Sequence, residues 1–482
     1  MSAIKQLFAG MKQSQATTGR FLMFKPYDYQ EPMIEHLVNN DHAALFAGMG
    51  LGKTACTLEA LKRVGGKALV LAPLRVASMV WGDQVKRWGY DFKVANLRSK
   101  EGMKAWEDGS ADIYTVNLEM VSRGILEKLI RKDMPVDTLI IDELSLCKAN
   151  SKRTKSIVKH RTKMKRVWGL TGTPSPNSVM DLFYQLKCID GGERLGKYIT
   201  HFRGKYFESD YMGYNFTPKT GAVDEIKNLI APICLSVQSN EHLDIPNCVI
   251  EDIDVKLPKK VMDKYRELEK HLVVQLGDSH VDAQSAATLV NKLKQVTAGV
   301  VYDEDKEGVH MHTAKHPALA KILKKHSPVL VLTSYKTEMQ AILDAFPQAE
   351  AFDEKRMDDW CAGKIPVWVA NPASLSHGID RIQDSCSTIV WMSLTYSLEQ
   401  YEQTNARILR TGQKKSSTIW RVMAEETIDW AVATALEGKG KNQSALLESI
   451  KIIQRTQLQS VPKASEPSCK KNDPLDSLFG LF

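Results

Sequence analysis

Gly48-Met49-Gly50-Leu51-Gly52-Lys53-Thr54 is the stretch whose reading decides the fold. An apolar run, Ala43 to Ala47, precedes it, and a helix-like stretch, Ala55 to Val64, follows it. A strand, a glycine-rich turn and a helix N-terminus together make an anion cradle. Backbone N–H groups point into the turn, and the helix dipole adds positive potential where phosphate oxygens sit. In that frame Lys53 reaches the β- and γ-phosphates of a nucleotide, and the Thr54 hydroxyl holds Mg²⁺. The usual first glycine of the pattern is Ala47 here. The alternative, a glycine-rich turn between core elements, loses ground as further motifs follow in order.

The 482 residues suffice for roughly two or three domains with full cores. With 43% apolar and 25% charged residues, disorder throughout is excluded. Lys plus Arg total 65 against 57 for Asp plus Glu, a mild basic excess of +8 that permits a polyanionic partner without requiring one. No apolar run approaches the ~18 residues of a membrane span, and the N-terminus lacks the apolar core and cleavage site of a secretion signal. The eight cysteines are scattered with no Cys-x-x-Cys pair, so neither zinc nor a disulfide framework is expected, and the thiols fit a reducing cytoplasm. His310, His312 and His316 cluster, yet no cysteine or carboxylate pattern completes a metal shell, which favours a solvated loop.

Short apolar runs alternate with helix-like segments over most of the chain. Strands are expected at Ala43–Ala47, Ala68–Ala72, Ile113–Val116, Thr138–Ile141 and Val167–Leu170. A second series is expected at Val329–Thr333, Val367–Ala370, Thr388–Trp391 and Thr418–Val422. Such alternation predicts parallel sheets covered on both faces, and therefore two α/β units in tandem. Between them, Gln185 to Val300 differs, with an aromatic stretch at Tyr198–Tyr214, a strand-like Val249–Leu257 and a helical period from Lys259 to Val300. The expected organisation is an extension over 1–23, a first lobe over 24–240, a second over 241–455 with a mostly helical insertion at about 259–300, and a flexible tail over 456–482.

Three further stretches carry chemistry. The strand ending at Ile141 delivers Asp142-Glu143 at its C-terminal end, where ligands sit in open α/β sheets. There Asp142 can hold the Mg²⁺ shell and Glu143 can polarise the attacking water. Leu170-Thr171-Gly172-Thr173-Pro174 follows another apolar run, and its hydroxyls can tie the nucleotide site to the sheet, or simply make a strand-end turn. Within Gln403 to Gln413, Arg407 and Arg410 are three apart and share a helical face. An arginine presented by a second domain supplies cationic charge at the γ-phosphate only when the domains close. The alternative is a solvated basic helix.

In this order the motifs resemble a Swi/Snf-type ATPase of helicase superfamily two, over about residues 20–455. Tyr29-Gln30 resembles the family's adenine-recognising glutamine motif, and Met49 to Thr54 its motif I. Leu71 to Val76 with Trp81 is similar to motif Ia, Asp142 to Ser145 to motif II, and Leu170 to Asn177 to motif III. Val329 to Ser334 resembles motif IV, and Asn371 to Asp380 resembles motif V through Ser374, His377 and Gly378. Gln403 to Gln413 is similar to motif VI, where the finger arginine falls on Arg410. Motif II reads Asp142-Glu143-Leu144-Ser145 where chromatin remodellers have Asp-Glu-Ala-His, and Ala47-Gly48 replaces an Asp-Glu pair common before motif I. These departures, Ala72 to Val76 and the compact length resemble the bacteriophage branch.

The resemblance implies two RecA-like lobes with ATP and Mg²⁺ as cofactors. ATP would be held by Tyr29, Gln30, Gly48, Met49, Gly50, Leu51, Gly52, Lys53, Thr54 and Gln403, with Thr54 and Asp142 on the metal. Lys53, Asp142, Glu143, Arg407 and Arg410 would carry hydrolysis. It further implies a DNA partner, duplex or branched, tracked without sequence specificity through Arg75, Thr115, Asn117, Thr171, Thr333, Ser334, Ser374 and His377. Lys148, Lys152 and Arg153 open a run to Arg166 with nine Lys or Arg and no acid, which is either a phosphate-contacting or a merely solvated face. The implied activity is an ATP-dependent DNA helicase or translocase in a phage-infected cytoplasm, remodelling forks or recombination junctions. A motor that strips polymerase from DNA, an ATP-switched clamp that does not travel, and RNA as substrate stay open. The tip Asp473 to Phe482 resembles a sliding-clamp peptide, with Leu475, Leu478, Phe479, Leu481 and Phe482 to dock, unless it folds back on its own domain.

Overall fold

Five apolar runs of the first half become neighbours in one sheet. A computed structural model of the chain describes residues 24–131, 133–172, 179–209, 216–237, 247–277, 283–302, 307–375, 379–410 and 413–437. The strands are β1 (His42–Ala47), β2 (Ala68–Ala72), β3 (Val94–Asn96), β4 (Ile113–Asn117), β5 (Thr138–Asp142) and β6 (Arg166–Thr171), followed by the short β7 (Phe207–Ser209), β8 (Phe216–Pro218) and β9 (Cys234–Val237). The first sheet has seven strands in the order β3-β4-β2-β5-β6-β1-β9, all parallel, while β7 and β8 form a separate antiparallel ribbon. Side chains alternate across it. Leu69, Leu71, Tyr114, Leu139 and Ile141 fill one core, and Ala68, Val70, Leu45, Ile140 and Leu170 fill the other. Full burial of each leucine, isoleucine or valine among them contributes about 1.5–3 kcal/mol.

Helices cover both faces. α1 (Glu31–Asn39) and α2 (Lys53–Val64) pack on the β1 side, joined by α3 (Trp81–Arg87). α4 (Lys152–His160) and α5 (Leu182–Asp190) close the opposite face.

The second sheet has six strands, again all parallel: β10 (Cys248–Val255), β13 (Val329–Leu332), β14 (Ala349–Ala351), β15 (Val367–Ala370), β16 (Thr388–Trp391) and β17 (Ser417–Ala424). Their order is β10-β17-β16-β13-β15-β14. Its two cores separate by the same alternation, with Leu330, Trp368, Ile389 and Trp391 on one face and Val329, Val331, Val367 and Val390 on the other. Trp360 stacks on Trp368 at 4.3 Å between ring centroids. The expected helical segment is α6 (Lys259–Gly277) and α7 (Ala283–Thr297), entered from β10 and followed by the ribbon β11 (Val300–Tyr302) and β12 (Gly308–His310). The chain therefore folds as two tandem RecA-like α/β units. Among the described residues, no helix is long and apolar enough to cross a membrane.

A buried ion pair between Lys315 and Asp429 also gathers the end of α7, through Thr297. Lys315 Nζ lies 2.7 Å from Asp429 Oδ2 and 2.8 Å from the Met392 carbonyl oxygen. Thr297 Oγ1 donates to Asp429 Oδ1 at 2.7 Å, and the Ala424 amide donates to Oδ2 at 3.0 Å. Asp429→Ala would leave an ammonium and two donors buried without their acceptor, costing about 3–5 kcal/mol. Urea unfolding measures it, and a loss under about 1 kcal/mol would show that solvent reaches the pair. Lys315→Met added to Asp429→Ala should recover much of the loss, since it removes the stranded charge.

Candidate active site

The carboxyl ends of β1, β5 and β6 meet at one edge of the first sheet. Facing them is α8 (Leu398–Asn405), the first helix after β16, with the Ala406–Arg410 turn that follows it. Between them lies a cleft of about 540 Å³ whose walls include Lys53, Thr54, Asp142 and Glu143 on one side and Arg407 and Arg410 on the other. Residues far apart in sequence are thus brought into one site.

The loop after β1 turns through Gly50 (φ 80°) and Gly52 (φ 79°), left-handed conformations that favour glycine. A Cβ on Gly52 would lie 2.5 Å from Gln30 Nε2. Gln30 needs that space, because its Nε2 donates to the Leu51 carbonyl at 3.0 Å and its Oε1 accepts from the Tyr27 amide at 3.1 Å. It braces the loop as well as lining the cleft. Lys53 Nζ donates to the carbonyls of Ala47 at 2.7 Å and Gly48 at 3.2 Å. Burial presses its ammonium below the usual range, while Glu143 and Asp142 hold it up. The Leu51 side chain is buried in the core while its carbonyl accepts from Gln30, and the Gly48 carbonyl accepts from Lys53; a cradle made of backbone N–H groups asks nothing of either side chain.

Sequence reasoning missed most of the aromatic end of the cleft. Tyr27 stacks on Tyr29 at 5.7 Å, Phe24 meets Trp88 edge-on at 5.2 Å, and the Arg87 guanidinium lies 5.3 Å over the Trp88 ring. All five residues line the cleft. Flat rings with one cation suit a purine. Their spacing along the chain, 24 to 29 and then 87 to 88, forms no local motif.

Asp142 and Glu143 divide the next task by geometry. Trp81 Nε1 donates to Asp142 Oδ2 at 2.9 Å, and burial pushes the Asp142 carboxyl up to about 6, with Trp81 and Lys53 opposing and Glu143 adding. Such a recessed carboxylate is stabilised by a bound cation. Asp142 and the Thr54 hydroxyl are both hard oxygen donors on this cleft, so the donor set fits Mg²⁺. Glu143 has φ 82°, a strained backbone for a residue with a Cβ. It is held there by its amide, which donates to the Leu170 carbonyl at 3.0 Å. Its Oε1 accepts from Ser145 Oγ at 2.7 Å and from Thr171 Oγ1 at 2.8 Å. Both hydroxyls thus fall on one carboxylate oxygen.

The opposite wall carries the arginines. Arg407 Nη1 donates to the Ile379 carbonyl at 2.8 Å, and Arg410 Nη1 lies 3.2 Å from Asp380 Oδ1. Asp380 Oδ2 also accepts from Arg87 Nη1 at 2.7 Å, which links the two units. Burial works against the Asp380 charge, but Arg410, the Arg381 amide and Arg87 hold its carboxyl below the usual range. Asp380 fell within a recognised stretch, yet nothing in the sequence marked it as the partner of the arginine. Gln403 lines the cleft and donates from Nε2 to Glu399 Oε1 at 3.1 Å.

The expected nucleic-acid contacts divide. Thr115, Thr171 and Thr333 are fully buried and cannot touch a strand. Thr115 lies in β4, Thr171 ends β6 and Thr333 directly follows β13, all under covering elements, and Thr115 Oγ1 donates to the Ala77 carbonyl at 2.6 Å. Arg75 pairs with Glu354 and faces the Ser374 carbonyl, another link between the units. Asn117 lines a second cavity of about 390 Å³ with Arg98 and Arg123. Ser334 accepts from Lys294 Nζ at 3.2 Å, while Ser374 and Lys152 are exposed, and Lys148 and Arg153 are half-exposed. The basic run is not one surface. Arg161 is buried, donating to the Ile189 carbonyl at 2.8 Å, and Arg166 pairs with Asp41. His377 and Leu475, Leu478, Phe479, Leu481 and Phe482 lie outside the described residues.

Comparisons with known proteins agree with this architecture. The model of the SNF2-related domain matches residues 29–299. Putative protein p41 of Acyrthosiphon pisum secondary endosymbiont phage 1 is 33% identical, over 89% of this chain and 99% of that protein. An uncharacterised ATP-dependent helicase of Mycoplasma pneumoniae is 23% identical over 82% of this chain, which spans only 39% of that longer protein. The helicase domain of Pyrococcus furiosus Hef has the same fold at 16% identity and a TM-score of 0.51, over 85% of this chain and 98% of that one.

Proposed function

The chain belongs to the SNF2-related domain family, and on that premise we propose that it is an ATP-driven motor that moves along DNA. The observation that carries this reading is the cleft in which Lys53, Thr54, Asp142 and Glu143 of one unit face Arg407 and Arg410 of the other. A site shared between two units changes with their separation, so hydrolysis can drive relative motion. The aromatic end would hold the base, Lys53 the β- and γ-phosphates, and Thr54 and Asp142 the Mg²⁺. The metal would supply charge neutralisation on the phosphates. Glu143 would orient the attacking water with the oxygen not occupied by Ser145 and Thr171. Arg407 and Arg410 would face the charge that develops on the transferred phosphoryl.

Lobes at 24–240 and 241–455 would step along the phosphate backbone as the cleft closes and opens. Lys152, Ser374, and Arg98 and Arg123 at the mouth of the cavity lined by the buried Asn117 are exposed polar groups suited to phosphate. Fork or junction remodelling in phage replication, and a clamp-docking tip, extend this reading from the sequence.

Steady-state ATP hydrolysis tests it, with no addition, single-stranded DNA, blunt duplex, a four-way junction or structured RNA, each at low and moderate salt. DNA should stimulate turnover, most strongly with the junction, and the stimulation should weaken with salt. Turnover that ignores DNA, or answers only to RNA, would overturn the substrate.

A further inference from the structure

Trp88, Arg87, Asp380 and Arg410 follow one another along the cleft wall, from its aromatic end to its phosphate end. The Arg87 guanidinium, at the end of α3, lies 5.3 Å over the Trp88 ring. That ring is itself held, because its Nε1 donates to Gln84 Oε1 at 2.8 Å and Phe24 meets it edge-on at 5.2 Å. Arg87 Nη1 donates to Asp380 Oδ2 at 2.7 Å, which is where the series crosses from the first unit to the second. Asp380 Oδ1 lies 3.2 Å from Arg410 Nη1 and accepts from the Arg381 amide at 2.8 Å.

A carboxylate is planar, so a partner on one oxygen constrains where the other oxygen points. Here the first unit governs Oδ2 and the second governs Oδ1. Whatever fixes Arg87 therefore also fixes the acceptor that holds Arg410. By itself the Arg87–Asp380 pair is loose, since the two side chains are 53% and 31% exposed and ion pairs open to water hold weakly. A flat base stacked at the aromatic end would shield Arg87 from water and offer its guanidinium a second ring face. Excluding water strengthens an ion pair.

We propose that Arg87 is a positioning residue for the arginine finger: a nucleobase at the aromatic end pins Arg87, which through Asp380 sets the guanidinium of Arg410. The base then raises the rate of the phosphoryl step and not only the affinity. This rests on the ATPase reading above and adds to it a named route from the base to the second unit. The influence of Arg87 on the phosphate end runs only through Asp380 and Arg410.

A double-mutant cycle tests it, using wild type, Arg87→Ala, Asp380→Ala and the double variant, with Arg87→Lys as a fifth protein. kcat, KM and the single-turnover rate are measured with ATP and with inorganic tripolyphosphate, which has the phosphates but no base, alongside thermal melting. In wild type, saturating tripolyphosphate should turn over at least about tenfold more slowly than ATP, because a truncated substrate forfeits rate as well as affinity. Arg87→Ala should lower kcat for ATP about fivefold, the upper range for one exposed ion pair, and move tripolyphosphate turnover by less than about twofold. Arg87→Lys keeps a cation for Trp88 and Asp380 and should stay within about threefold of wild type. In the Asp380→Ala background, Arg87→Ala should change kcat for ATP by less than about twofold, because the link is gone. Independent, multiplying effects of the two substitutions would overturn the proposal. So would equal kcat for the two substrates in wild type, equal losses on both in Arg87→Ala, or an effect confined to KM. Tripolyphosphate turnover too slow to detect counts with the slow outcome, and the cycle on ATP then decides. If Asp380→Ala melts early, Asp380→Asn takes its place in the cycle under the same criteria. Wild type that does not hydrolyse ATP would fail the ATPase reading itself, a different result from an active wild type indifferent to Arg87.

Discussion

Glu143→Gln is expected to lower ATP turnover by about 10²- to 10⁴-fold while leaving nucleotide affinity nearly unchanged, the range over which a positioned general base acts. The substitution is close to isosteric. The Gln carbonyl oxygen can still accept from Ser145 Oγ and Thr171 Oγ1, the two donors found on Glu143 Oε1. The strained backbone at φ 82° keeps its anchor as well, since the Leu170 carbonyl is met by the amide and not the side chain. What is lost is the second carboxylate oxygen, replaced by an amide that cannot take a proton from water. Lys53 loses a neighbouring negative charge and keeps Asp142. A fluorescent ATP analogue measures affinity, and phosphate release measures turnover. Turnover within about threefold of wild type would remove Glu143 from the water-orienting role.

Contiguous residues explain what the sequence revealed. The loop from Gly48 to Thr54 needs a strand, two left-handed glycines and a helix start in immediate succession, so its chemistry is spelled out locally. The same holds for Asp142-Glu143 at the end of β5. Strands such as Val367–Ala370 and Thr388–Trp391 match the runs from which they were expected, because both faces are covered and every position is apolar or small. β3, β9 and β14 were not legible. They have three or four residues, lie at or near sheet edges and take their pairing from neighbours rather than from their own pattern. The aromatic stretch from Tyr198 hides a helix, Ile199–Tyr206, whose rings pack into the first core.

At the site, residues joined only by the fold stayed hidden. Phe24, Trp88 and Arg87 meet across the aromatic end, and Asp380 pairs with both Arg87 and Arg410. None has a local spacing to announce it. The opposite error was to place Thr115 and Thr333 on a binding surface because they stand near recognised motifs. Thr115 sits inside β4 and Thr333 directly after β13, where helices cover both sheet faces, and full burial decides against contact.

Arg410→Ala is expected to cost about 10³-fold or more in turnover, as removal of an arginine finger does in other phosphoryl-transfer sites. The geometry sharpens that expectation. Arg410 sits in the wall facing Lys53 and Glu143 but spends one guanidinium arm on Asp380 Oδ1 at 3.2 Å. Both arginines reach the Ile379 carbonyl, Arg407 at 2.8 Å and Arg410 at 3.4 Å, but the ion pair with Asp380 belongs to Arg410, so Arg407 beside it supports the local charge without duplicating its reach. Deleting Arg410 should therefore not be rescued by Arg407. It should also leave ATP binding largely intact, because Lys53, Gln30 and the aromatic end belong to the other unit. Arg410→Lys restores the charge without the planar fork and should recover only a minor part of the rate. Single-turnover hydrolysis separates this from a product-release effect: a finger acts on the chemical step, so the burst and the steady state must both fall. A normal burst with a slow steady state would move Arg410 from transition-state stabilisation to the opening of the cleft, where its pairing with Asp380 and, through it, Arg87 would then be the contact that matters.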